Sequence, residues 1–114
     1  MDRLAAAVTA RGVTVLARID HAEAAAEVGL TLRPTELLIF GNAKAGTPLM
    51  QTAQTMGIDL PLKALVWEDE ASQTWLAYDD PEWLAARHGD LPGVWQVLGG
   101  MTTMLAAVAE EAAT

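Results

Sequence analysis

The side chains able to do chemistry in this sequence are few. There are two histidines, His21 and His88, a single serine, Ser72, and no cysteine. Ser72 sits in an acidic turn with no histidine near it in sequence, which argues against a serine triad. Without cysteine there is no disulfide, thiolate metal site or thiol nucleophile, and two histidines make a zinc site improbable. An all-carboxylate site stays open, although the run Glu68-Asp69-Glu70 reads more simply as a solvated turn. No dinucleotide fingerprint is present, and neither a cofactor nor a metal is expected.

The most informative stretch is Gly41-Asn42-Ala43-Lys44-Ala45-Gly46-Thr47-Pro48. It follows an apolar run and opens a helix, the setting in which backbone N–H groups and the helix dipole attract anions. Lys44 adds a full positive charge, with Arg33 at the far end of the same strand region. Gly46 is followed by Thr47 rather than by Lys-Ser or Lys-Thr, so this is not a P-loop. A small-anion site made by Arg33, Gly41, Asn42, Lys44, Gly46 and Thr47, with His21 in reach, is one reading. A capped helix start, with Thr47 as the cap and glycines for the turn, is the plainer one. His21 follows Asp20 in the first turn of a helix, either as a solvent-facing residue or as an acid/base group. His88 precedes Gly89, where a partly charged imidazole suits a helix C-terminus.

The elements that must position these residues can be read from periodicity. A first helix carries Leu4, Ala5 and Val8 and stops at Gly12; Val13–Ile19 then reads as a strand. Asp20 and Glu23 form a capping-box-like pair for an Ala-rich helix ending at Gly29. Leu37–Phe40 is apolar throughout, which predicts a central strand buried on both faces. A helix from Thr47 to Gly57 has a core stripe of Leu49, Met50, Ala53 and Met56. Leu62–Trp67 and Thr74–Tyr78 form an antiparallel hairpin that brings Trp67 near Trp75. Asp80-Pro81 starts a short helix, and Val94 to Val108 form an amphipathic stripe that Gly99-Gly100 should weaken or bend. The methionines Met50, Met56, Met101 and Met104 fall on these stripes and read as core filler.

Composition narrows the partners. The chain has 114 residues, 52% of them hydrophobic, enough for one domain (1–114) with a real core. Seven basic against fifteen acidic residues give −8, and the basic ones are scattered, which argues against nucleic acid. No apolar run approaches the roughly 20 residues a membrane span needs. With no N-terminal signal pattern, a cytoplasmic location is expected.

The runs Leu32–Asn42, Ala45–Met50, Gly57–Lys63, Tyr78–Pro81 and Arg87–Gly89 resemble the domain-of-unknown-function family 302 over about residues 12–89. The resemblance implies a two-layer α/β sandwich with helices on one face of the sheet; joined to the order α-β-α-β-α-β-β-α-α read from periodicity, it gives the expectation of an α+β fold with a mixed sheet. It implies no activity. Family members usually begin with another strand, which is absent here, and the family's Asn-Pro pair is Asn42-Ala43. The hairpin turn carries Ala71-Ser72 instead of Asp-Gly, so it lacks an easy positive-φ position. Some relatives have a cysteine before the asparagine, where Gly41 stands here.

Two functions follow as expectations. The first is a non-catalytic binding or interaction module that self-associates as a homodimer and holds a small anion at the Gly41–Thr47 loop. The alternative is a small acid/base enzyme acting on a carboxylate-bearing substrate through His21 and Lys44. A missing first strand would leave an unpaired sheet edge, and the Trp67–Trp75 pair and the long last helix offer apolar surface, which together favour the dimer.

Overall fold

Four runs of alternating or β-branched residues build one sheet. In the computed structural model, which describes residues 1–113, the strands are β1 (Thr14–Asp20), β2 (Thr35–Gly41), β3 (Leu62–Glu68) and β4 (Thr74–Tyr78). They hydrogen-bond in the order β1-β2-β3-β4, and every pair is antiparallel, not mixed as expected. The reason lies in the connections, each of which returns the chain to the end of the sheet it left. Asp20 faces Glu36 across β1 and β2, and Phe40 faces Leu62 across β2 and β3.

The helices are α1 (Asp2–Ala10), α2 (His21–Glu27), α3 (Ala43–Thr52), α4 (Pro81–Ala86) and α5 (Trp95–Ala113), with a 3-10 turn at Gln54–Ile58. The predicted element order holds. One sheet face carries Leu38, Phe40, Leu62 and Ala64 into the core, where they join Leu4 and Val8 of α1, Leu49 of α3 and Ala85 of α4. Helix α5 contributes Leu98, Met101, Leu105 and Val108, all buried. Large side chains of this kind each contribute about 1.5–3 kcal/mol. That outweighs the roughly 1 kcal/mol that each of Gly99 and Gly100 costs a helix, and α5 runs through both glycines unbroken.

Strand β2 is central, but its cover is one-sided. Leu38 and Phe40 are fully buried, whereas Leu37 and Ile39 on the opposite face are only half-buried. That outer face also carries the row Ile19–Leu37–Leu65–Ala77 and the pair Trp67–Trp75. The two indoles stack with centroids 6.4 Å apart. Ser72 takes the positive φ of 62° that the turn requires. Asp69 offsets that strain by accepting from the Ala71 and Gln73 amides and the Trp75 indole N–H. Those bonds, the indole's first, hold the Asp69 carboxyl below the ordinary aspartate range.

The start of α3 differs from the sequence expectation. Asn42, not Thr47, is the cap: its side chain accepts from the Lys44 N–H at 2.9 Å. Helix geometry begins five residues earlier than expected, and Pro48 lies inside it. An asparagine cap satisfies an orphan amide at once, so the helix starts where that is first possible. Thr47 is exposed on the helix. Asn42→Ala should therefore lower stability by about 0.5–2 kcal/mol. Thr47→Ala should leave the denaturation midpoint nearly unchanged, and equal losses from the two variants would count against this assignment.

Candidate functional site

At the end of the sheet where β1 begins and β2 ends, the helix layer does not close down onto the strands. A cavity of about 360 Å³ remains. Its walls are the first residues of β1, the Gly41–Gly46 turn into α3, the Leu60-Pro61-Leu62 entry to β3, and Met101 and Met104 of α5. The lining is overwhelmingly apolar. A bulge between Val15 and Ala17 leaves Leu16 without a strand partner, and Leu16 becomes part of the wall. Bulges commonly re-aim a side chain in this way. Gly41 sits at a close approach: a Cβ there would lie 3.2 Å from the Pro61 Cβ, so the Pro61 side of the lining would have to shift by a few tenths of an ångström.

Of the residues expected to form a site, Gly41, Asn42 and Gly46 line this cavity. Lys44 and Thr47 do not, and both are exposed. The Lys44 amide is taken by the Asn42 side chain, and the Ala45 and Gly46 amides by the Asn42 carbonyl. Arg33 and His21 stand at the other end of the sheet. Thr14 pairs with Gly41 while Asp20 pairs with Glu36, so β1 separates the two ends by about 20 Å at roughly 3.4 Å per residue. Arg33 instead lies close enough to Asp69 to help lower its pKa. His21 and Lys44 therefore share no site.

A second polar cluster had no signal in the sequence pattern. The His88 Nε2 lies 2.5 Å from Asp59 Oδ2, and its Nδ1 lies 2.8 Å from Thr55 Oγ1. A carboxylate only accepts, so Nε2 donates to Asp59, while Nδ1 and the Thr55 hydroxyl share the second hydrogen bond. Arg87 adds a 3.3 Å contact to Asp59 while its guanidinium sits over the Trp83 ring. This replaces the helix-end role expected for His88, because α4 has already ended at Ala86. The cluster ties the 3-10 turn to the end of α4, and Asp59 directly precedes the cavity wall at Leu60. The runs Gly57–Lys63 and Arg87–Gly89, separate in sequence, meet here. Among the described residues no group of three or more His, Cys, Asp or Glu side chains could hold a metal. Replacing His88 with alanine leaves the 12%-exposed Asp59 carboxylate without its closest donor. A loss of about 1–3 kcal/mol is expected by chemical denaturation, and an unchanged midpoint would mean the cluster is ornamental.

Comparisons with known proteins agree with this architecture. A family model described as "Domain of unknown function DUF302" matches residues 1–112. The "Fluoride-specific ion channel FluC 1" of Brucella suis biovar 1 is 51% identical over 88 residues, 77% of this chain and 35% of that protein. The protein of the same name from Brucella abortus biovar 1 is likewise 51% identical, over 33% of its length. The chain thus spans about a third of these curated relatives. Among solved structures, an uncharacterized conserved protein from Bacillus stearothermophilus superposes with a TM-score of 0.85 at 22% identity. That match covers 97% of this chain and 86% of the other, and it speaks for the fold alone. Through the family match, the chain belongs to the DUF302 family of domains of unknown function.

Proposed function

We propose that this domain is a non-catalytic binding module that encloses a small, poorly hydrated ligand in the cavity beside α3. The observation that carries the reading is the cavity itself. Its volume, about 360 Å³, falls within the roughly 300–1,000 Å³ of small-molecule sites, which are concave, mostly apolar and largely preformed. The acid/base enzyme is the weaker reading, since His21 and Lys44 lie at opposite ends of β1. A small anion held by Lys44 competes with the cavity reading, and the name of the relatives, which specifies fluoride, supports it. Against it stand the amides of residues 44–46, which are already hydrogen-bonded within the helix start. An environment-sensitive apolar dye should bind with one-to-one stoichiometry, and Gly46→Leu, which fills the cavity, should abolish that binding while the fold persists. Dye uptake unaffected by Gly46→Leu would refute the cavity as the site, and fluoride shifting the amides of 42–47 would favour the anion.

The module is read as one that works beside another protein unit. Among the described residues no helix is long and apolar enough to cross a membrane. The relatives named as ion channels are about three times the length of the matched segment. The outer sheet face supports association with a second copy. Its central rows hold Ile39, Leu37, Leu65, Trp67 and Trp75 with Lys63 as their one charge, in a chain of net charge −8. Such a face suits the centre of an interface. Light scattering at micromolar concentration should give twice the 12.1 kDa chain mass. Leu65→Lys should return it to the monomer, and a single-chain mass for the unaltered protein at every concentration would overturn the dimer.

A further inference from the structure

Three methionines from two helices line the cavity: Met50 of α3, and Met101 and Met104 of α5. Resting on the reading of this cavity as a binding site, we propose that its ligand is a soft monovalent cation. Cu(I), or Ag(I) as its surrogate, would be held by the three thioether sulfurs.

The donor set points to that class. Thioethers are soft ligands and favour Cu(I), whereas zinc takes imidazole and thiolate, and magnesium and calcium take carboxylate and carbonyl oxygen. The lining contains no histidine, cysteine, aspartate or glutamate. A hard cation entering this cavity would exchange its water for hydrocarbon, while a soft one finds sulfur.

The placement of the three residues suits convergence. Met101 and Met104 are three apart on one helix, so their Cβ atoms are neighbours at about 5–6 Å on the same face. Met50 lines the same cavity from α3, which is in contact with α5. Each side chain has three rotatable bonds, so a change of rotamer alone can re-aim its sulfur.

Met56 is 1% exposed in the core and lines no part of the cavity. Met101 is buried in that same core, and Met50 and Met104 pack against it, yet all three also border the cavity. The charge balance of −8 also draws cations toward the surface at low ionic strength, over a screening distance of about 10 Å at 0.1 M salt.

The test uses the whole chain with methionine methyl groups labelled with carbon-13. Ag(I) is titrated in chloride-free buffer, and Cu(I) is titrated anaerobically against a competing chelator. One equivalent should shift the methyl signals of Met50, Met101 and Met104 and leave Met56 in place, with no response to Zn(II). The double variant Met101→Leu and Met104→Leu keeps apolar volume, which cores tolerate well. It should weaken the cation by more than about 100-fold, beyond the 10–100-fold typical of losing a supporting group. It should still bind the apolar dye. Uptake unchanged in the double variant, or shifts centred on His21 or His88, overturns the assignment. Dye binding with no Ag(I) response sinks the cation alone and leaves the binding module standing; loss of both in the unaltered protein sinks both.

Discussion

Everything in this domain depends on covering one face of a single four-stranded sheet. Leu38 and Phe40 on the central strand are fully buried, and helices cover them, since among the described residues there is one sheet. Helix α5 extends the layer with a buried stripe and meets α1 and α4, and the Arg11–Glu111 pair ties the rims of α1 and α5 together. Exposed pairs of that kind add little to stability. Apolar burial dominates, and the glycine pair within α5 is tolerated for that reason.

The cavity lies at the corner where α3 begins, beside the first residues of β1 and the entry to β3. There the local chemistry keeps the chain rigid. Asn42 fixes the first turn of α3, and Thr55, Asp59 and His88 fix the 3-10 turn that leads into Leu60 and Pro61. Polar bonds on the outside of the walls thus hold an apolar inside open.

Much of this was legible in the sequence because much of it is local. The order of elements, the central position of β2, the Asp20 cap and the Trp67–Trp75 pair follow from periodicity, capping chemistry and a short hairpin link. What escaped depends on contacts between distant segments or on competition between neighbours. Thr47-Pro48 is a sound helix start, and it lost to Asn42 because an earlier cap leaves fewer amides unpaired. No spacing rule brings Thr55 and Asp59 to His88. The family resemblance had marked two of the segments involved, although it carried no statement that they touch. Met50 and Met101 share a wall only once α3 and α5 pack, so a stripe reading alone could assign them no more than core duty.

The bulge in β1 has a consequence for how this family could diversify. A strand extends by a side-chain alternation of two, so one additional residue is the smallest step that turns a single side chain without reversing the rest of the strand's pattern. Leu16 occupies that step, at the mouth of the cavity. A one-codon insertion or loss there would resize the chamber in a discrete increment while β2, β3 and the helix layer kept their places. The domain thereby carries a point at which cavity size can be tuned by length change, separate from the buried positions of the core.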